Sequence, residues 1–173
     1  MTATDGVEEP KLAEPVSALR ELGARTELLS LKPGQIKAVQ HDLQPTQTFA
    51  VDKTLDHADP EDYQAVLLPG GAVNAGRLRT EPAVQSFLKQ IKDAGKPLAV
   101  ICHAPRGPVP SGLPRGRTVT SHHTLPDDLR NTGATGGRSG GGGARQPGDQ
   151  AAAGRRPGLH REMLNLFAAA RGA

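Results

Sequence analysis

Two short apolar runs, residues 63–68 and residues 98–101, organise the hydrophobic pattern of this chain. Each run is continuous rather than alternating, as in strands buried on both faces of a parallel sheet. Between them Val84, Phe87, Leu88 and Ile91 recur at helical spacing. Thr80 as cap and Pro82 in the first turn start that helix, and Gly95 ends it. A right-handed crossover of this length predicts that the two runs lie parallel in one sheet. Upstream, Leu12, Val16, Leu19 and Leu22 form another apolar stripe, which follows the turn signal Asp5-Gly6 and is closed by Gly23. Residues 26–31 read as a further strand, turned by Lys32-Pro33-Gly34. Residues 35–62 are polar, with short extended pieces such as Phe49-Ala50-Val51. This order of helices and strands predicts an α/β fold, with a mainly parallel sheet and helices on both faces.

The pattern fails beyond Pro105. Pro108, Pro110 and Pro114 follow it, and each proline inside a helix costs about 3 kcal/mol. Residues 117–121 read as a strand and residues 126–130 as a helical turn. Residues 132–158 are aperiodic and include four consecutive glycines, Gly140 to Gly143. Such a stretch buries too little apolar surface to offset its chain entropy, so an irregular, disordered segment is expected. Residues 159–173 regain helical spacing through Met163, Leu166 and Phe167. The expected organisation is an α/β domain over residues 1–131, an irregular Gly/Arg-rich segment over 132–158, and a C-terminal helix of the same domain over 159–173.

A length of 173 residues suffices for one domain with a core, and 21 Gly with 15 Pro agree with a substantial irregular part. The net charge of +3 comes with arginines clustered late, in the Gly-rich region, so no nucleic-acid groove is indicated. A single cysteine excludes an intrachain disulfide and fits a reducing compartment. No apolar stretch approaches the ~20 residues of a membrane span. The first residues lack the basic and apolar regions of a secretory leader, which makes the cytoplasm the expected location.

That cysteine carries the candidate chemistry. Residues 98–101 end at Cys102-His103, followed by small and turn-forming residues. A nucleophile at the end of a buried strand, before a turn into a helix, is pushed out of the sheet. The helix start would aim N–H groups at the sulfur and favour thiolate. A buried, inert cysteine is the competing reading, since free cysteine is among the most buried residue types. The remaining histidines, His122-His123 included, lack metal-ligand spacing with Cys102; no metal and no cofactor is expected.

With these residues placed, the chain resembles the PfpI family, within the class I glutamine amidotransferase-like superfamily. The matching stretches are Asp5-Gly6-Val7-Glu8-Glu9, Leu67-Leu68-Pro69-Gly70-Gly71 with Asn74 and Leu78-Arg79, and Gly95-Lys96-Pro97 through Ile101-Cys102-His103-Ala104-Pro105. Later come Arg115-Gly116-Arg117-Thr118, Asp127-Asp128 and Arg155-Arg156-Pro157. The resemblance implies a flavodoxin-like fold and a homo-oligomer. It implies Cys102 as nucleophile, His103 as its partner, and Glu8 as the acidic residue whose carboxyl group meets the sulfur. It also implies the Gly70-Gly71 turn as binding element, with the Gly71 N–H stabilising an oxyanion. On sequence alone, Glu8 reads rather as an ordinary solvated charge beside Glu9, and Gly70-Gly71 equally as a plain turn after a strand.

The sequence also departs from that family. Only Met1-Thr2-Ala3-Thr4 precede Asp5, so the family's apolar first strand is expected to be missing, leaving the domain N-terminally truncated. Arg106-Gly107-Pro108 replaces an aromatic residue and an aliphatic helix. The stretch Gly136 to Gly143 replaces a Trp-Val-Asp turn and a valine-rich strand. Valine codons (GTG) read one base out of frame give glycine (GGT), as in a compensated frameshift. Gly76 stands nearest the family's acidic residue contributed by a neighbouring subunit. The resemblance implies a stress-related cysteine hydrolase, an intracellular peptidase or a protein deglycase or glyoxalase-like enzyme, acting on a protein or small carbonyl substrate. The alternatives are a non-catalytic stress protein, as redox sensor or holdase, and an inactive frameshifted homologue.

Overall fold

The computed structural model describes residues 1–100 and the two short strands Thr118–Val119 and Thr135–Gly136. In chain order the first hundred residues give β1 (Val7–Glu8), α1 (Glu9–Glu21), β2 (Leu29–Ser30), β3 (Gln35–Gln40), β4 (Gln44–Ala50) and β5 (Lys53–Thr54). Two 3-10 turns, Leu55–His57 and Pro60–Asp62, lead into β6 (Val66–Leu68), α2 (Ala72–Thr80), α3 (Pro82–Asp93) and β7 (Leu98–Val100).

The two apolar runs pair as their pattern predicts. β6 and β7 lie parallel, with Val66 opposite Leu98 and Leu68 opposite Val100. α3 carries its stripe inward: Val84, Phe87, Leu88 and Ile91 are all buried. They pack with Leu29, Leu55, Val66, Leu68 and Leu78 into one core, and the Tyr63 ring meets the Phe87 ring edge-on at 5.8 Å. On the opposite face Leu12 of α1 joins Ala3, Val7, Leu28, Ile36 and Ala38 in a second core. Leu28 and Leu29 thus serve opposite cores from adjacent positions, as strand geometry requires. The result is a sheet with helices on both faces, the expected α/β class.

The slot expected to stand vacant for want of a first strand is filled. Thr2 donates its N–H to the Leu67 carbonyl at 3.0 Å, Ala3 to the Leu29 carbonyl at 3.0 Å, and Leu29 to the Met1 carbonyl at 2.7 Å. Residues 2–4 are buried, and Thr2 forms a parallel bridge with Leu29. Main-chain pairing does not require an apolar run, and small or β-branched side chains such as Ala and Thr fit a crowded sheet centre. The Met1 amine is buried with them and donates to the Glu27 carbonyl at 2.6 Å. Burial depresses its pKa to about 6, against partial compensation by Glu27 and Asp52.

Four other expectations change. Residues 35–50 form an antiparallel hairpin, β3 against β4, with a register shift between Lys37 and Val39. Only Ile36 and Ala38 of β3 are buried, so the alternation is too short to stand out in the sequence. α2 was not anticipated, because Asn74 and Gly76 are poor helix formers. Thr80 is the last residue of α2, where its hydroxyl donates to the Arg77 carbonyl; it does not cap α3, whose N-cap is Glu81. Leu22 of the first stripe is exposed, at the C-cap of α1.

Thr118–Val119 falls within the strand expected over residues 117–121, and pairs parallel with Thr135–Gly136. The latter pair lies inside the stretch expected to be irregular; ladder hydrogen bonds need only backbone, which glycine supplies. The proline-rich stretch after Pro105, the four-glycine run and the C-terminal helix lie outside the described residues. Among the described residues, no helix is long and apolar enough to cross a membrane.

Candidate functional site

β6 and β7 run parallel and end level with one another, Leu68 opposite Val100. The carboxyl edge of such a sheet is where α/β proteins place their ligands. Two residues past Leu68 the chain turns through Gly70 and Gly71, both buried. At that edge the turn meets the end of β1: Glu8 donates its N–H to the Gly70 carbonyl at 3.0 Å. Glu8, Gly70 and Gly71 are therefore brought together from positions more than sixty residues apart.

The approach is close enough to require glycine. Gly71 has φ of +116°, and a Cβ there would collide with the Gly6 carbonyl and stand 2.9 Å from the Glu8 nitrogen and 3.1 Å from the Val7 Cα. Gly6, at φ +80°, is equally restricted from the other side, because a Cβ would lie 2.6 Å from the Val73 Cβ. The two glycines let the β1 segment and the start of α2 interlock backbone to backbone.

Asn74 locks the same turn from beneath. It is fully buried. Its Oδ1 accepts the Thr4 N–H at 2.8 Å, and its Nδ2 donates to the Pro69 carbonyl at 3.0 Å and the Gly70 carbonyl at 3.5 Å. The partner types fix which way the amide points, since Thr4 offers only a donor and Pro69 only an acceptor. One side chain thus ties the sheet's central slot to the Pro69-Gly70-Gly71 turn.

The Glu8 carboxylate points to the tip of the β3–β4 hairpin. Its Oε1 accepts the His41 N–H at 2.8 Å and its Oε2 the Asp42 N–H at 3.1 Å. His41 and Asp42 have φ of +54° and +62°, the two left-handed non-glycine residues of the described chain. Successive amides in that conformation converge on one anion. The Asp42 carboxylate in turn accepts the Ala72 N–H at 2.7 Å, at the start of α2. His41 and Asp42 escaped the sequence reading. Their signal was present, since Asp and His are among the few residues enriched at positive φ.

Cys102 and His103 lie outside the described residues. Gly76 is exposed on α2, with open space beside its Cα. Among the described residues, no group of three His, Cys, Asp or Glu side chains is placed to hold a metal ion.

A mainly parallel sheet covered on both faces, with a glycine turn and an acidic side chain gathered at its carboxyl edge, defines a flavodoxin-like α/β protein with an edge site. The chain belongs to the DJ-1/PfpI family, whose model matches residues 1–137. It is 35% identical over 132 residues to a protein named a deglycase in Thermococcus kodakarensis, covering 76% of each chain. It is 29% identical over 127 residues to a protein named general stress protein 18 in Bacillus subtilis, covering 73% of this chain and 72% of that one. Among solved structures, a ThiJ/PfpI domain protein from Brachyspira murdochii superposes with a TM-score of 0.71 at 16% identity, over 80% of this chain and 76% of that one, a likeness of fold.

Proposed function

We propose that this chain is a cysteine-dependent hydrolase of the PfpI type, with Cys102 as nucleophile and a carbonyl carbon of a glycated protein or small dicarbonyl as target. The observation that carries the reading is the level, parallel ending of β6 and β7 at the edge where Glu8 and Gly71 meet. In the sequence Cys102 follows β7 by two residues, which is why this edge is the one the reading uses. The names of the deglycase relatives support the same class.

In this reading the thiolate attacks the carbonyl carbon. A C–S bond forms, and the carbonyl π pair moves to oxygen, where the Gly71 N–H receives it. His103 or Glu8 protonates that oxygen to give a thiohemiacetal and then removes the proton from the carbon bearing sulfur. The freed pair forms a C=C bond to the neighbouring carbon. That bond expels the protonated amine of a glycated protein or, in a dicarbonyl, sends the neighbouring carbonyl's own π pair to oxygen. Return of a proton to that neighbouring carbon turns the enediol into a thioester. Water, deprotonated by the same group, attacks the thioester and breaks the C–S bond. The acid leaves and the thiolate returns. The enzyme works in the cytoplasm as a homo-oligomer under stress, a setting for which the relative named a general stress protein speaks.

The test is turnover of glyoxal-treated peptide by the parent chain and by Cys102→Ser. The expected result is loss of turnover to background in the variant, together with alkylation of parental Cys102 by iodoacetamide well below the ~8.5 of a free thiol. Equal turnover by the two chains would exclude the reading.

A further inference from the structure

We propose that Asp42 is a positioning residue for this site, and that the left-handed turn His41-Asp42 serves to carry it. The inference rests on the roles given above to Glu8 and Gly71.

A hairpin tip at positive φ is most easily made with glycine or asparagine. This one uses His41 at +54° and Asp42 at +62°. The conformation has two products. The main chain of the turn delivers two N–H groups to the Glu8 carboxylate, at 2.8 and 3.1 Å. The side chain of Asp42 leaves in another direction, and its Oδ1 receives the Ala72 N–H at 2.7 Å. A single residue therefore grips both halves of the site, Glu8 by its backbone and the start of α2 by its carboxylate.

The second grip matters because of what α2 lacks. The first amides of a helix have no partner within it. The N-cap of α2 is Gly71, which has no side chain to offer, and no side-chain cap bond is made from it. Asp42 supplies the missing acceptor from a hairpin thirty residues upstream. Ala72 is the residue immediately after Gly71, so fixing its N–H fixes the peptide that follows Gly71. Backbone contact with Gly6, Val7 and Glu8 limits Gly71 on the other side. Asp42 thereby holds the peptide next to Gly71, whose own N–H is the one that would meet an oxyanion.

Asp42→Gly isolates this role. Glycine adopts φ +62° freely and keeps the N–H that serves Glu8; only the carboxylate is lost. Asp42→Asn keeps the acceptor oxygen and tolerates the same conformation. Two measurements decide, kcat and KM on glyoxal-treated peptide and amide hydrogen exchange at Ala72. Asp42→Gly is expected to fold, to lose about tenfold or more in kcat with KM little changed, and to exchange faster at Ala72 while Leu67 stays protected. Asp42→Asn is expected to restore both. Unchanged exchange at Ala72, an unchanged kcat in a parent that turns over, a loss that Asp42→Asn does not rescue, or an Asp42→Gly chain that fails to fold would each overturn the proposal. A parent without Cys102-dependent turnover removes the enzyme reading alone, since exchange at Ala72 still tells whether Asp42 holds the turn.

Discussion

The face under α3 and the corner around Gly71 are built by opposite means. Under α3 the chain is held by side-chain volume, with Val84, Phe87, Leu88 and Ile91 filling a core against Leu29, Val66 and Leu68. At the corner almost nothing apolar is involved. Backbone lies on backbone at Gly6 and Gly71, and Asn74, Glu8 and Asp42 hold main-chain groups. A core made of volume accepts substitutes of similar shape. A corner made of backbone positions accepts almost none, and that rigidity suits a site whose working parts are amides.

Truncation should break the first region most severely. Leu88→Ala is expected to cost about 4 kcal/mol in denaturant unfolding, whereas Leu88→Met should cost under ~1.5 kcal/mol because volume is kept. The corner should show no such tolerance. Gly71→Ala is expected to cost about 3 kcal/mol from a positive φ and a forced contact with residues 6–8. If Gly71→Ala proves as mild as Leu88→Met, the contrast between the two regions fails.

Asn74→Leu sharpens the same contrast with a near-constant volume. It leaves the Thr4 N–H and the Pro69 carbonyl buried without their partner, at a cost of about 2 kcal/mol. An unchanged midpoint would mean that the Asn74 bonds do not hold the turn.

The smallest effect concerns the buried Met1 amine. Its pKa is lowered from 8.0 to about 6 in the folded chain. Between those values the unfolded chain binds a proton that the folded chain refuses, so stability falls as pH drops from 8 to 6 and rises in the other direction. From pH 6.5 to 7.5 the gain should be on the order of 1 kcal/mol. Urea midpoints across that range, measured with the amine free and with it acetylated, give the check; a slope that survives acetylation belongs to another group.

What could be read in advance follows the same division. The α3 stripe and the runs at residues 63–68 and 98–101 were legible because side-chain type reports burial directly. Their strands came out shorter, Val66–Leu68 and Leu98–Val100, since ladder pairing ends where the turns begin. The slot held by residues 1–4 was not legible. It is made by main-chain bonds, to which Thr2 and Ala3 contribute no apolar signal. The hairpin tip was passed over for a related reason: His41 and Asp42 are residue types that tolerate positive φ, but the main-chain bonds that the turn makes leave no mark in the local hydrophobic pattern. Glu8 and Gly71 were picked out only through the family resemblance, because neither residue type announces a site by itself.

The central slot also bears on how the molecule comes to be folded. Thr2 is bonded to Leu67 across sixty-five positions of sequence. Contacts that distant close late and slow folding, because the intervening loop must be ordered first. During synthesis Thr2 must wait until Val66–Leu68 has left the ribosome before the slot can form. Until then β2 shows an open edge, and a neighbouring nascent chain with a similar Thr-Ala-Thr stretch could enter it. Crowded translation of this protein should therefore favour mispaired dimers, trapped at the sheet's centre rather than at its rim.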